Sequence, residues 1–313
     1  MGHFAYGLVF EWEDVIAREL GWNLVDDVRQ SWAYLILRKL SPWASSFCKP
    51  SAPCFVFDMS ADRDLGNNKN TIVPCVIDFF LRSKKDLKWF YNSYGRNPLV
   101  LISSKEAYDY LVANNCPLNI RHWALSIPDG WVSKGPVARK KYDVAIMGRT
   151  NPTLKNFLDE YRNRHPSLHC VSRILKDGKL YYQDSLSGEL IAGNGRACYK
   201  QIIQAAKVGL YSTPGMDGAN PNANGFNQVT PRFLEYIAGG CHVLARYPKN
   251  SDTEYFNLRS FSPSIESYEQ FERELEDRLA TPVDETFYSS YIAEHVTSVR
   301  AHQLLNIFKE CRL

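Results

Sequence analysis

Short apolar runs, set apart by polar stretches of helical character, recur along the chain, which is the pattern of buried parallel strands covered by helices. In the first part the runs are Cys54–Phe57, Ile72–Ile77 and Pro98–Ser103. Lys105–Ala113 reads as a helix with Ser104 as its cap, and Phe10–Leu20 as an earlier one. Ahead of that helix Met1–Leu8 reads as the loop after a first strand, so that either the strand itself is missing or the sheet begins differently. Gly2, His3 and Gly7 suit a loop running close to a cleft.

A second series begins with strand Tyr142–Met147 and the turn Gly148-Arg149, and continues through helix Thr153–Arg164 to a strand at His169–Arg173. Helix Gly195–Ala206 and strand Val208–Ser212 follow, a succession that predicts a doubly wound parallel sheet. The polar stretch 131–141, with Gly135-Pro136 inside it, is the expected linker. The predicted class is therefore α/β with two Rossmann-like domains, residues 1–136 and 137–286, and a terminal helix within 287–313. Between the second series and its last strand lies the loop 213–228, rich in Gly, Pro and Asn. A loop of that length without its own structure is expected to be functional or mobile.

The segment that closes this loop carries the most chemistry. Thr230 is a favourable N-cap, Pro231 fits the first helical position, and Gly239-Gly240 stops the helix before strand Val243–Ala245. Such a helix presents unfilled N–H groups and a partial positive charge to whatever lies before it, an arrangement suited to a diphosphate. Arg232 adds a full charge, and Glu235 could accept hydrogen bonds from ribose hydroxyls. The plainer alternative is that Arg232 and Glu235 form an i,i+3 pair that merely supports the helix. In open α/β sheets ligands gather at the carboxyl ends of strands. That rule brings Gly148, Arg149, Arg173, Tyr211 and Ser212 to the edge where the Thr230 helix begins.

Composition narrows the classes. The 313 residues carry 37 Lys and Arg against 34 Asp and Glu, a net charge of +3, so no general affinity for polyanions follows and nucleic acid is neither required nor excluded. No apolar run approaches the ~20 residues that span a bilayer, and no leader is read at the start, so the expected place is the cytoplasm, with peripheral attachment to the inner membrane left open. Eight cysteines without a C-x-x-C pair read as reduced core residues. His165, His169 and Cys170 have a spacing that invites a zinc assignment, but no second ligand pair accompanies them.

The run from Pro231 to Ala245 resembles the donor-site signature of GT-B glycosyltransferases, in particular the group-1-related, spore-coat-like subfamily. Tyr142–Arg149, Ala205–Leu210 and Thr297–Leu305 are similar to that family's domain-opening strand, its helix-to-strand step and its terminal helix. The resemblance covers the chain from about residue 140 onward. It implies two Rossmann-like domains facing a cleft, a last helix returning to the first domain, and a nucleotide-diphosphate sugar as donor with no further cofactor. The implied acceptor is a glycan or lipid-linked glycan, with surface polysaccharide the commonest product. Phage DNA glucosyltransferases have a similar second domain, and a non-catalytic nucleotide-sugar-binding module is a further alternative. That last reading comes from Asn227, which stands where many relatives carry a carboxylate eight residues before the helix Glu.

On these expectations Gly148, Arg149, Arg173, Tyr211, Ser212, Thr230, Arg232 and Glu235 form the donor side. Asp58, Asp78 and His3 are the candidate acceptor-side bases, the two aspartates because each ends an apolar strand. The ordinary alternative for each is an Asp that caps a turn. Asp62-Arg63-Asp64 imitates a metal-binding D-x-D but sits in a polar loop, so no metal is expected.

Overall fold

The computed structural model describes residues 3–24, 53–61, 69–132, 139–177, 179–191 and 195–313. Its first half builds one parallel sheet. Strands β1 (Cys54–Ser60), β2 (Ile72–Asp78), β3 (Val100–Ile102) and β4 (Ile120–His122) lie in the order β1-β2-β3-β4, with Asp58 opposite Val76 and Cys75 opposite Leu101. Helices α1 (His3–Leu20), α2 (Lys84–Tyr94) and α3 (Lys105–Ala113) belong to this half. Leu87, Phe90 and Tyr94 of α2, with Ala107 and Leu111 of α3, pack on Val76, Val100 and Ile102. The opposite face carries Val9, Trp12 and Ile16 of α1 against Phe57, Val73 and Leu101.

The second half contains β5 (Tyr142–Ile146), α4 (Pro152–Arg164), β6 (Cys170–Lys176), β7 (Lys179–Asp184), β8 (Leu190–Ile191), α5 (Arg196–Gln204) and β9 (Ala206–Ser212). It continues with α6 (Pro231–Ala238), β10 (His242–Arg246), α7 (Ser251–Tyr255), α8 (Tyr268–Ala280), α9 (Glu285–Ala293) and α10 (Thr297–Glu310). The sheet order is β10-β9-β5-β6-β7-β8. The first four strands are parallel, as expected, but β6, β7 and β8 form antiparallel pairs, so the sheet is mixed. The hairpin pairs Lys176 with Lys179, between which the sequence reads Asp177-Gly178. That dipeptide is a strong two-residue hairpin signal, and the expected single strand at His169–Arg173 overlooked it.

Three further expectations are corrected. Residues 3–10 are helical and continue into α1, so His3 opens a helix where a loop was expected. The terminal helix is two helices. The chain leaves helical geometry near Val296 because Ile127 N–H donates to His295 O (3.0 Å) and Thr297 N–H donates to Ile127 O (2.9 Å). Beyond that break Ala301, Leu304 and Phe308 of α10 pack beside α1 on the first sheet, and Trp123 Nε1 donates to Arg300 O (2.9 Å). The last helix thus returns to the first half.

The loop 213–228 is also not structureless. It holds short turns at Met216–Gly218 and Pro221–Ala223, and Phe226 is buried in the first-half core beside Phe79 and Tyr110. Arg82 stacks 4.1 Å over the Phe226 ring, and Asn224 Nδ2 donates to Phe80 O (2.6 Å). Among the described residues, no helix is long and apolar enough to cross a membrane.

Candidate functional site

A cleft of about 370 Å³ lies where the two halves meet, within the range of ligand pockets. One wall comes from the carboxyl ends of the second sheet and from the start of α6. Thr230 occupies the N-cap position with extended backbone (φ −91°, ψ 157°) and Pro231 follows, yet its side chain makes no capping hydrogen bond. The first-turn N–H groups of α6 therefore lack the usual side-chain acceptor. Thr230 N–H itself donates to the Tyr211 hydroxyl (3.0 Å), which ties the helix start to the end of β9.

Arg232 folds back over the loop after β5. Gly148 has a positive φ of 76°, and a Cβ placed there would lie 2.1 Å from Arg232 Nη2, so glycine satisfies both the backbone and the close approach. Arg232 Nη1 donates to Arg149 O (3.3 Å), while its buried Nε has no hydrogen-bond partner. Arg149 is held below its ordinary pKa first by burial and then by the charge of Arg232, with Arg173 adding to the effect and Asp78 opposing it. Arg149, Arg173 and Arg232 all line the cleft, and the charges of the other two act on Arg149. Such a cluster is stabilised by a polyanion and destabilised by its absence.

Asp78 is the last residue of β2 and lines the cleft from the first half. Burial pushes its pKa up to about 6, and the nearby Arg149 charge opposes that rise. The first half also contributes Leu8, Trp12, Met59 and Phe80 to the lining.

Asp78, Arg149, Arg173, Ser212, Thr230, Arg232 and Glu235 all line this cleft, with Gly148 packed against Arg232 and Tyr211 buried behind Thr230. Asp58 does not join them. Strand β1 runs on to Ser60, so Asp58 lies inside the strand, fully buried, and accepts a hydrogen bond from the Tyr94 hydroxyl. The His3 side chain, Asp62 and Asp64 lie outside the described residues, as do residues 133–138 of the expected linker. His169 pairs with Asp184 (2.8 Å) and His165 stacks on Tyr161, so both have partners other than a metal.

Sequence reasoning missed the neighbours of Glu235. Its carboxylate accepts from Arg196 Nη1 (2.8 Å) and from the Tyr199 hydroxyl (2.6 Å), both on α5. Arg196 and Tyr199 also line the cleft. Their i,i+3 spacing puts them on one helical face, but no local pattern ties that face to a carboxylate 36 or 39 residues away.

No protein-family model matches the chain, and no curated protein sequence does. Solved structures do. The pneumococcal O-GlcNAc transferase GtfA in complex with UDP and GlcNAc superposes with a TM-score of 0.55 at 11% identity, covering 86% of this chain and 59% of that one. The GtfA/B complex superposes with a TM-score of 0.53 at 11% identity, covering 93% of this chain and 62% of that one. The fold is GT-B. At this identity the likeness concerns architecture alone, and the chain spans about three-fifths of the length of those two neighbours. Within a GT-B frame the cleft, its cationic wall and Asp78 lie between the two Rossmann-like sheets.

Proposed function

We propose that the cleft binds a nucleotide-diphosphate sugar and that the protein transfers the sugar to an acceptor hydroxyl. The observation that carries this reading is the uncapped start of α6 beside Arg149, Arg173 and Arg232, which together form an anion site large enough for a diphosphate. In the proposed reaction the bond from the anomeric carbon to the diphosphate oxygen breaks, and the arginines neutralise the departing charge. The acceptor oxygen bonds to the same carbon and gives its proton to Asp78. A pKa of about 6 leaves Asp78 mostly ionised at neutral pH while keeping it basic enough to take that proton. The arginines supply cationic charge from the protein itself, so we propose transfer without a divalent metal.

The neighbour bound to UDP and GlcNAc makes a uridine donor the first to try. A glycan acceptor, and with it a role in surface polysaccharide synthesis, rests on the resemblance of the Pro231–Ala245 segment. One observation favours a second reading, a binding module without transfer. Asn227 accepts from Thr213 Oγ1 (2.7 Å) and donates to Gly225 O (3.0 Å), so the position that is a carboxylate in many relatives is occupied with holding the loop. Release of free sugar from labelled donor, with and without candidate acceptors, separates the two. Turnover lost in Asp78→Asn supports transfer; binding with no turnover under any condition supports the module.

A further inference from the structure

The strongest polar cluster outside the arginine wall joins the two ends of the fold. Arg196 divides its guanidinium between two carboxylates. Nε and Nη2 donate to Glu11 Oε1 and Oε2, both at 3.1 Å, while Nη1 donates to Glu235 Oε1 at 2.8 Å. Glu11 belongs to α1, which packs on the first sheet, and Glu235 to α6 of the second. The Trp131 indole N–H donates to Glu11 Oε2 (3.3 Å), and its ring lies 4.9 Å from the Arg196 guanidinium. Gly7, one turn before Glu11, permits the approach, since a Cβ there would sit 3.2 Å from Arg196 Cγ. Burial alone would lower the pKa of Arg196, but Glu235 and Glu11 together hold it above its ordinary value.

The geometry points to Glu11 as a positioning residue for a ribose-binding carboxylate at Glu235, an inference that rests on the nucleotide reading. A carboxylate offers about four lone-pair directions. Arg196 and Tyr199 use one on each oxygen, and Glu235 lines the cleft, so acceptor capacity remains on that side. Arg196 is shared by two carboxylates and Arg232 also acts on Glu235 through its charge, yet the remaining lone pairs of Glu235 can still accept from hydroxyl donors. A vicinal diol supplies two hydroxyl donors to such a group, whereas a phosphate, which at neutral pH has no proton to donate, is suited to the arginines.

Glu11 matters because it occupies the forked face of Arg196. With Glu11 neutralised, the hold on that face weakens and the guanidinium can turn further onto Glu235, toward the two-point geometry that guanidinium and carboxylate favour. The lone pairs aimed at the cleft would then be consumed.

The test is calorimetry on the full chain with UDP, GDP and ADP, each against its 2′-deoxy counterpart. For a diphosphate that binds, the ribose form is expected to bind about tenfold or more tighter than the deoxy form. Glu235→Gln should abolish that ratio. Glu11→Gln should reduce it at least about threefold through the freed fork, with Glu11→Asp restoring part of it. Arg196→Lys keeps a cation but cannot span both carboxylates, so it should lower the ratio as well and keeps the test decisive if Glu11→Gln does not fold. An unchanged ribose-to-deoxyribose ratio in the folded Glu11 and Arg196 variants makes the cluster a brace between domains and overturns the inference while the nucleotide reading stands. Failure of every diphosphate to bind the unmodified chain overturns both.

Discussion

Two helix starts in this fold meet opposite fates. At the start of α3, Ser104 accepts the Ala107 N–H (3.1 Å), and Asp252 of α7 reaches across from the second half to accept Lys105 N–H (3.2 Å) and Glu106 N–H (3.0 Å). Ser104 also donates its hydroxyl to Asp252, whose side chain is fully buried. At the start of α6 the N-cap side chain makes no such bond, and Arg149, Arg173 and Arg232 line the adjoining cleft together with Asp78 and Glu235. The first helix start is filled by an anion of the protein and serves to join the halves. The second opens onto the cleft, where the proposed diphosphate would supply the anion. Backbone N–H groups at a helix start need acceptors, and the two starts differ in what stands before them, a buried protein carboxylate at α3 and the cleft at α6.

Breaking the chemistry beside the open end is expected to have the largest effect. Asp78→Asn should lower the transfer rate by about 10²–10⁴-fold while diphosphate affinity stays within about twofold. In the unmodified protein the rate should fall to about half its plateau near pH 6, where Asp78 takes up its proton, and should level off above about pH 7. A rate that is level down to pH 5, measured as kcat/KM, would remove Asp78 as the base.

Breaking the filled end is expected to cost stability instead. Asp252→Ala leaves two part-buried N–H groups of α3 without their acceptor, a loss of about 1–3 kcal/mol in urea unfolding. Asp252→Ala should leave the diphosphate-to-nucleoside preference unchanged, because it acts on the other helix. The smallest effect sharpens the same contrast. With arginines supplying the positive charge, exhaustive chelation should leave transfer unchanged. Loss of activity restored by manganese would mean that the open end needs a metal as well as its cations.

The open end was readable in the sequence because its determinants are local. Thr230, Pro231, Gly239 and Gly240 mark the helix within eleven residues, and strand-end rules bring Arg149 and Arg173 to the same edge. The filled end was half readable. Ser104 is a local cap, but Asp252 lies 146–148 positions away from its partners and nothing near it announces the contact. The same distance hides Glu11 from Arg196, which are 185 positions apart. Asp58 misled because an apolar run ending in Asp looks like a strand end, whereas β1 continues two residues further. The loop 213–228, expected to be functional or mobile, contributes Pro214, Ala219 and Asn220 to the cleft but has structure of its own. Its Gly, Pro and Asn content is that of a mobile segment, but one buried aromatic, Phe226, anchors it in the opposite half. Burial of a side chain that size contributes about 1.5–3 kcal/mol, enough to order a loop whose composition favours freedom.

The central claim is that the cationic start of α6 is a diphosphate site, and calorimetry of UDP, GDP and ADP against the matching nucleosides tests it most directly. At least one diphosphate is expected to bind with micromolar affinity, its nucleoside about 100-fold or more weaker, and Arg232→Gln to cost the diphosphate about 10–100-fold through loss of a charged hydrogen bond while leaving the nucleoside unchanged. Equal affinity for diphosphate and nucleoside, or an Arg232→Gln variant that binds both as the unmodified chain does, would contradict it.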